Sequence, residues 1–567
     1  MAAGNDRLSG LGDDLLRRVL HFVPAREGAL TSALSRRWRP LWRSCGAVNL
    51  VARAHEDSSW RHHPLWRSSL ALRDAFVSAA HQALDSADQA AKADGHPPIR
   101  KLTIRVEAIR SDNILRFLHG DMDYHKEHDV LGSLLTHKAS RRVEELRIAA
   151  VDSVDGKPMY FERSKYEAAA NIHGLGIYPL GLGSLPSGTL RVLELTNCSS
   201  LKPAAAGTSF PRLTSLRLRH CNAPFKELQR IIDAAPLLAV IHLEAILLDE
   251  DARPGFKVDT PPPVEGTLRS LRCLAATVLV LDKCCLNKNG TVEIDAPMLR
   301  HFRYKGAVRH ISLDPPPQQL ARAELTIIDH GGRRNSDPCR SFWGTVRGLS
   351  HAKEMKLRVR HVEEIRCHYT NEAKNIKLRR LERLELQGVY TPTENAAAQL
   401  IKNLLRCSPA LNELRIELST TAHDESTKRS YGGVQIVDRK HRAQVEESVR
   451  RFKSRRQGSM VAGGEDDGVD YDQVSDVPGL TGHSFKCLRS CLIKVGLKFR
   501  REMTNCFGAQ LIKFFAQNAM ALETMFIDAG NERIHEHVNL KIEKWIANSS
   551  KGRRMNATKV QVLPLTR

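Results

Sequence analysis

Near the start of the chain the apolar residues fall at helical spacing. Leu15, Leu16, Val19, Leu20 and Val23 form one stripe. Asp13 and Asp14 stand at its beginning, where carboxylates suit the positive end of a helix dipole, and Pro24 ends it. A second short helix is predicted over 27–34, with Leu30, Ala33 and Leu34 on one face. A third is predicted over 35–42, opened by Ser35 as a cap and carrying Trp38, Leu41 and Trp42. Three helices in so few residues cannot bury that many large apolar groups among themselves. Either a partner covers the remainder or the rest of the chain does, and periodicity alone leaves both open.

Past residue 100 the pattern changes to a recurring phrase, Leu-x-x-Leu-x-Leu with conservative substitutions. It stands at Val143/Leu146/Ile148, Leu190/Leu193/Leu195, Leu213/Leu216/Leu218 and Leu238/Ile241/Leu243. It returns at Leu299/Phe302/Tyr304, Leu381/Leu384/Leu386, Leu411/Leu414/Ile416 and Leu522/Met525/Ile527, with partial copies at Leu279/Leu281, Leu325/Ile327 and Leu357/Val359. Leu193 to Leu216 is 23 residues and Leu216 to Ile241 is 25, while Leu384 to Leu414 stretches to 30. Most such intervals lie in the leucine-rich repeat range of about 20–29 residues. Each phrase is predicted to be a short strand whose leucines stack inward, with the chain returning on the other face, often as helix, in an α/β solenoid. The segment 224–237 shows such a return, with Leu228, Ile231 and Ile232 at helical spacing. A doubly wound nucleotide-binding sheet would want a glycine fingerprint after its first strand, and none is present. Cys198, Cys221 and Cys284 each follow the last leucine of a phrase by three residues, the position that turns the chain out of its strand, and read as structural.

The 567 residues carry 86 Lys and Arg against 64 Asp and Glu, a formal charge of +22. That favours acidic partners without choosing among protein, nucleic acid and anionic membrane. Aromatic residues are sparse and not interleaved with basic ones, so a base-stacking groove is disfavoured. The longest strongly apolar stretch, 274–281, is far short of the roughly 20 residues of a membrane span. Twelve scattered cysteines suit a reducing compartment without a disulfide framework, and the N-terminus lacks the order of a signal peptide. The expectation is a soluble protein of the cytoplasm or nucleus, with no structural disulfide.

Residues 6–50 include Asp-Arg-Leu-Ser, Asp-Asp-Leu-Leu, Ser-Arg-Arg-Trp-Arg and Leu-Trp-Arg-Ser in that order. This run resembles the F-box of plant F-box proteins. The resemblance implies docking on the Skp adaptor of a cullin–RING ubiquitin ligase, and through it on the cullin. Carried over by position, Leu15, Val19, Leu20, Val23, Leu34, Trp38, Leu41 and Trp42 would form or support the docking surface. The run departs from the family at Gly12, where proline is usual and would start the helix well. Pro40 is predicted to remove a hydrogen bond inside the third helix. Residues 485–530 resemble the FBD segment of plant F-box/leucine-rich proteins: a strand, a helix over 509–515, Asn-Ala-x-x-Leu-Glu, then another strand. The expected organisation is an F-box over 1–50, irregular repeats over 51–140 and a solenoid over 141–452. A disordered acidic loop over 453–480 and an FBD-like segment over 481–567 complete it.

Little catalytic chemistry stands out. His125 and His128 near Asp121 and Asp123, the group His361, Cys367 and His368, and His535 with His537 lack the spacing of metal ligands and read as solvated loop histidines. Glycines 174, 176, 181 and 183 precede no Gly-Lys-Ser/Thr and read as turns. No nucleophile has a recognisable base beside it. No cofactor is implied, and a non-catalytic adaptor is expected. The basic run 449–456 is an import signal or a solvated helix end. Strand alternation turns Glu194, Arg217, His242, Arg303, Arg358, Glu385 and Arg415 outward. The expectation is a mostly positive surface on which Arg217, Arg303, Arg358 and Arg415 grip an acidic or phosphorylated protein substrate. The alternatives are a basic solenoid that binds nucleic acid and a ligand-sensing F-box receptor.

Overall fold

Within each of two units, the phrases read as strands lie parallel to their neighbours. The computed structural model describes residues 10–54, 65–93, 98–109, 111–119, 128–154, 156–157, 176–202, 208–248, 269–284, 291–329, 338–365, 375–391, 395–420, 474–499, 507–528, 545 and 561–564. The chain divides into two units, Met1–Ala296 and Pro297–Arg567.

The first unit opens with α1 (Asp13–Leu20), α2 (Ala25–Leu30) and α3 (Trp38–Arg43). A single 3-10 turn, Thr31–Ala33, continues α2 where a longer helix is expected from sequence. Ser35 does not cap α3; it lies a turn ahead, its carbonyl accepting the Trp38 N–H at 3.2 Å. Pro40 therefore falls on the third residue of the helix, where the N–H it lacks would have no intrahelical acceptor, and the helix runs through it. That corrects the expected disruption.

Then follow β1 (Ala47–Arg53), α4 (Leu65–Ala93), β2 (Lys101–Ala108), α5 (Ser111–His119), α6 (Val130–Thr136) and β3 (Glu145–Asp152). The 29-residue α4 sits between two adjacent strands, which is why 51–140 shows no repeat spacing. Next come β4 (Tyr178–Gly181), β5 (Val192–Thr196), β6 (Cys198–Lys202), β7 (Ser215–Arg219) and α7 (Phe225–Asp233). The unit closes with β8 (Val240–Glu244), β9 (Arg269–Arg272), β10 (Val278–Asp282) and β11 (Val292–Asp295). Strands β1, β2, β3, β5, β7, β8 and β10 pair parallel in that order, while β4 pairs with β6 and β9 with β11.

Register explains the phrase. Leu102, Leu146, Leu193, Leu216, Ile241 and Leu279 stand opposite one another at one level, and Ile104, Ile148, Leu195, Leu218, Leu243 and Leu281 at the next. All are buried. Alternation sends these side chains inward, and full burial of each contributes roughly 1.5–3 kcal/mol.

One residue after each of four strands has left-handed backbone: Asn197, His220, Ala245 and Lys283, with φ between 51° and 64°. The next side chain turns inward, and Cys198, Cys221 and Ile246 are fully buried there. The Cys221 thiol donates to the Arg219 carbonyl at 3.2 Å and that of Cys198 to the Ser200 carbonyl at 3.2 Å. Burial pushes the Cys221 thiol up to about 12, and the buried Cys273 thiol likewise to about 12. An unfolded thiol ionises near 9.0. Above that pH the unfolded chain releases protons that the native state keeps, so stability is whole below pH 9 and falls above it. The loss is about 1.4 kcal/mol per pH unit for each thiol. Urea midpoints measured from pH 8.5 to 10.5 should fall, and fall less steeply in Cys221→Ala.

The second unit holds β12 (His301–Ala307), β13 (Ile311–Leu313), β14 (Arg322–Asp329), α8 (Pro338–Gly348), β15 (Glu354–His361), β16 (Arg383–Tyr390) and α9 (Ala396–Cys407). It continues with β17 (Glu413–Thr420), α10 (Lys486–Ser490), β18 (Lys494–Phe499), α11 (Phe507–Asn518), β19 (Thr524–Asp528) and β20 (Gln561–Pro564). Strand β12 pairs with β14, and β14 to β20 then pair in chain order, all parallel. Tyr304, Leu325, Leu357, Leu386, Ile416, Leu497 and Ile527 form one buried level. Helix α9 covers its strands with Leu400, Ile401 and Leu404, and α11 with Leu511, Ile512 and Phe515, all buried.

Two expectations need correction. The end of the supposed disordered stretch is packed: Val477 and Leu480 are buried, and Lys513 on α11 donates to the Val474 carbonyl at 2.8 Å. Residues 453–473 lie outside the described residues. Cys339 is disulfide-bonded, against the expectation of no disulfide. The other described cysteines are free thiols.

Candidate docking surfaces

The N-terminal module fills its own core with little. Leu16, Leu20, Trp38 and Leu41 are buried together, and Leu11, Trp42 and Cys45 pack on them in part. Asn49 on β1 fastens the module by donating to the His21 and Val23 carbonyls at 2.9 and 3.0 Å, closing groups left open past the end of α1. Asp13 pairs with Arg37 at 2.7 Å, which ties the start of α1 to the approach to α3.

What remains outside is apolar. Leu15 is 51 % exposed, Val19 46 %, Phe22 69 %, Leu30 63 % and Leu34 69 %. The eight residues expected at the docking surface therefore separate. Leu20, Trp38 and Leu41 build the core; Leu15, Val19 and Leu34 stand in solvent; Val23 and Trp42 are half-buried. Phe22 and Leu30 belong with the exposed set. Phe22 follows Leu15 by seven residues and Val19 by three, a helical signal readable in the sequence. The exposed Arg18, Arg26, Arg36, Arg39 and Arg43 share the module with these side chains.

Gly12 precedes α1 with φ −65°, the value a proline ring imposes, and a Cβ there meets nothing within 4 Å. Gly12→Pro should raise stability by about 0.4–1 kcal/mol by restricting the unfolded chain. A thermal melt that leaves the midpoint unchanged or lowered would contradict this.

The outward strand face carries the second candidate. In the first unit Arg217 stands opposite Glu194 on β5 and His242 on β8. In the second, Arg303 stands opposite Glu324, and Glu385 opposite Arg415. Arg358 does not share their row. The residue in register is Lys356, and Arg358 lies one outward position further, opposite Thr326 and Gln387. Reading the partial phrase Leu357/Val359 hid this, because the strand's first inward residue is Met355.

Much of the positive charge on the second unit's face is paired with acids. Lys356 meets Glu385 at 2.6 Å, Arg383 meets Glu354 at 2.8 Å and Glu413 at 3.5 Å, and Arg415 meets Glu413 at 2.9 Å. Arg322 meets Glu324 at 2.6 Å, and Lys498 meets Glu417 at 2.9 Å. Glu-Met-Lys-Leu, Arg-Leu-Glu-Leu and Glu-Leu-Arg-Ile begin β15, β16 and β17, so opposite charges meet across the ladder.

Among the described residues no three His, Cys, Asp or Glu side chains converge as a metal site, and no helix is long and apolar enough to cross a membrane. His125, Cys367, His368, His535, His537, Gly174 and the basic run 449–456 lie outside the described residues.

No protein-family model matches the chain. An F-box/FBD/LRR-repeat protein of Arabidopsis thaliana is 52 % identical over 46 residues, 8 % of this chain and 10 % of that protein. A second from the same plant is 37 % identical over 75 residues, 13 % of this chain and 18 % of its own. These matches span about a tenth to a fifth of the relatives' own length. A third F-box/FBD/LRR-repeat protein of Arabidopsis thaliana is 21 % identical over 440 residues, 76 % of this chain and 80 % of that protein. The chain resembles plant F-box/FBD/LRR-repeat proteins in short stretches at higher identity and over most of its length at lower identity.

Proposed function

We propose that this chain is the substrate-recognition subunit of an SCF-type cullin–RING ubiquitin ligase, acting in the cytoplasm or nucleus. On this reading the helices α1 to α3 are the F-box, the parallel strand units are leucine-rich repeats, and 481–567 is the FBD-like end. The Skp adaptor binds the module and a protein substrate binds the repeats. The observation that carries the reading is the exposed set Leu15, Val19, Phe22, Leu30 and Leu34, left over by a module whose core is already complete. Burying such a set needs a partner with an apolar groove, and the arginines beside it suit an acidic rim.

The protein would accelerate ubiquitin transfer by holding the substrate near the transferring enzyme, so raised effective concentration carries the mechanism. No residue of this chain need touch the reacting bond. The test is co-expression with the Skp adaptor, followed by sizing of the purified pair. A stable equimolar complex that weakens as salt rises is expected. Absence of any complex with intact protein would end the reading. A nucleic-acid solenoid, favoured only by the +22 charge, would instead lose RNA or DNA affinity steeply with salt.

A further inference from the structure

We infer that Arg217 is the anchor, on the outward strand face of the first unit, for an anionic side chain of a bound polypeptide, either a carboxylate or a phosphate monoester. The inference rests on the receptor reading above and narrows it to one residue. Of the four arginines expected to grip a substrate, three are engaged. Arg303 lies 3.8 Å from Glu324, Arg358 donates to Gln387 at 2.5 Å, and Arg415 lies 2.9 Å from Glu413. Arg217 makes no ion pair or hydrogen bond among the described residues, and its Nε is out of water without an acceptor.

Other cations on this face of the first unit are held. Arg53 and Arg105 pair with Glu107, Arg219 pairs with Glu244 at 2.8 Å, and Lys101 lies over the Phe22 ring. Glu194 is the acid in register with Arg217, yet it faces Arg147 at 3.6 Å. Arg217 is thus a half-buried guanidinium whose Nε has no acceptor among the described residues. A carboxylate or phosphate offers it two oxygens in the geometry of its planar fork. Ser215, two residues earlier on the same face, stands in register with Val192 and Val240. That row gives an apolar footing beside the charge, which suits a polypeptide better than an isolated ion.

The test uses the full-length protein and immobilised peptides with a fixed central Glu, phosphoserine or Gln in randomised flanks, with the best binder then titrated by fluorescence anisotropy. Peptides with an anionic centre should be selected over Gln peptides, and the Glu and phosphoserine arms tell which anion is preferred. Arg217→Ala should weaken the best binder at least tenfold, and Arg217→Gln, which keeps the stem, should do the same. Arg415→Ala should stay within twofold. Equal binding of Gln-centred peptides, or unchanged affinity in both Arg217 variants, overturns the inference; so does equal loss in Arg217→Ala and Arg415→Ala. Adaptor binding is scored on the same samples. Its absence sinks the receptor reading but leaves the peptide titration to decide Arg217.

Discussion

Val19→Asp should abolish capture of the Skp adaptor while leaving the protein folded. Val19 is 46 % exposed and Leu15 51 %, so neither contributes much to the module's own core. A carboxylate on α1's outer face meets water in the free protein and costs the fold little. In a complex the same carboxylate would be desolvated against an apolar groove with no partner, a penalty of several kcal/mol. A loss of about 3 kcal/mol is more than a hundredfold in affinity. Leu15→Asp should act alike. Leu20→Asp and Trp38→Ala would also lose binding, but for another reason. Their side chains are 3 % and 7 % exposed, and substitution unfolds the module. Calorimetric titration with purified adaptor, read beside circular-dichroism melts, separates the two. Undiminished affinity in both Val19→Asp and Leu15→Asp would remove α1's outer face from the docking surface.

That division of one helix shows what periodicity could and could not convey. Leu15, Leu16, Val19 and Leu20 look like a single stripe, because spacing reports which residues share a side. Which half of the stripe meets α3 depends on the crossing of two helices, and no local pattern encodes that. The ladder was far more legible. Inward leucines recur with the strand period, and a one-residue slip would turn them all to solvent, so the phrase carries its own register. Charges were not. Arg383 and its partners Glu354 and Glu413 are 29 and 30 residues apart, and they meet only once three strands are aligned. Met355 in place of a leucine was enough to shift that alignment and put Arg358 in the wrong row. Between β1 and β2 the inserted α4 broke the interval on which repeat reading depends.

Asn197→Ala should destabilise the first unit by about 2–4 kcal/mol, although the residue belongs to no docking surface. Asn197 is 1 % exposed and holds φ 64°, a region that asparagine tolerates better than most side chains. Its Nδ2 donates to the Ala150 carbonyl on β3 at 2.8 Å, its own N–H donates to the Arg219 carbonyl at 2.9 Å, and its carbonyl accepts from Ile177 at 2.6 Å. One residue therefore ties β3 and β7 to the start of β4. Alanine would leave the Ala150 carbonyl buried and unpaired, at about 1–3 kcal/mol, and add about 1 kcal/mol of left-handed backbone strain. Asn197→Gly should lose the hydrogen bond without the strain and fall between wild type and alanine. Two turns further along the sheet the same backbone position holds Ala245, with φ 51° and no side-chain donor to lose. There Ala245→Gly removes strain alone and should be neutral or stabilising by up to about 1 kcal/mol. Urea midpoints for the three variants check the ordering. An Asn197→Ala protein that unfolds with the wild type would show that the turn is held by backbone pairing and not by the asparagine side chain.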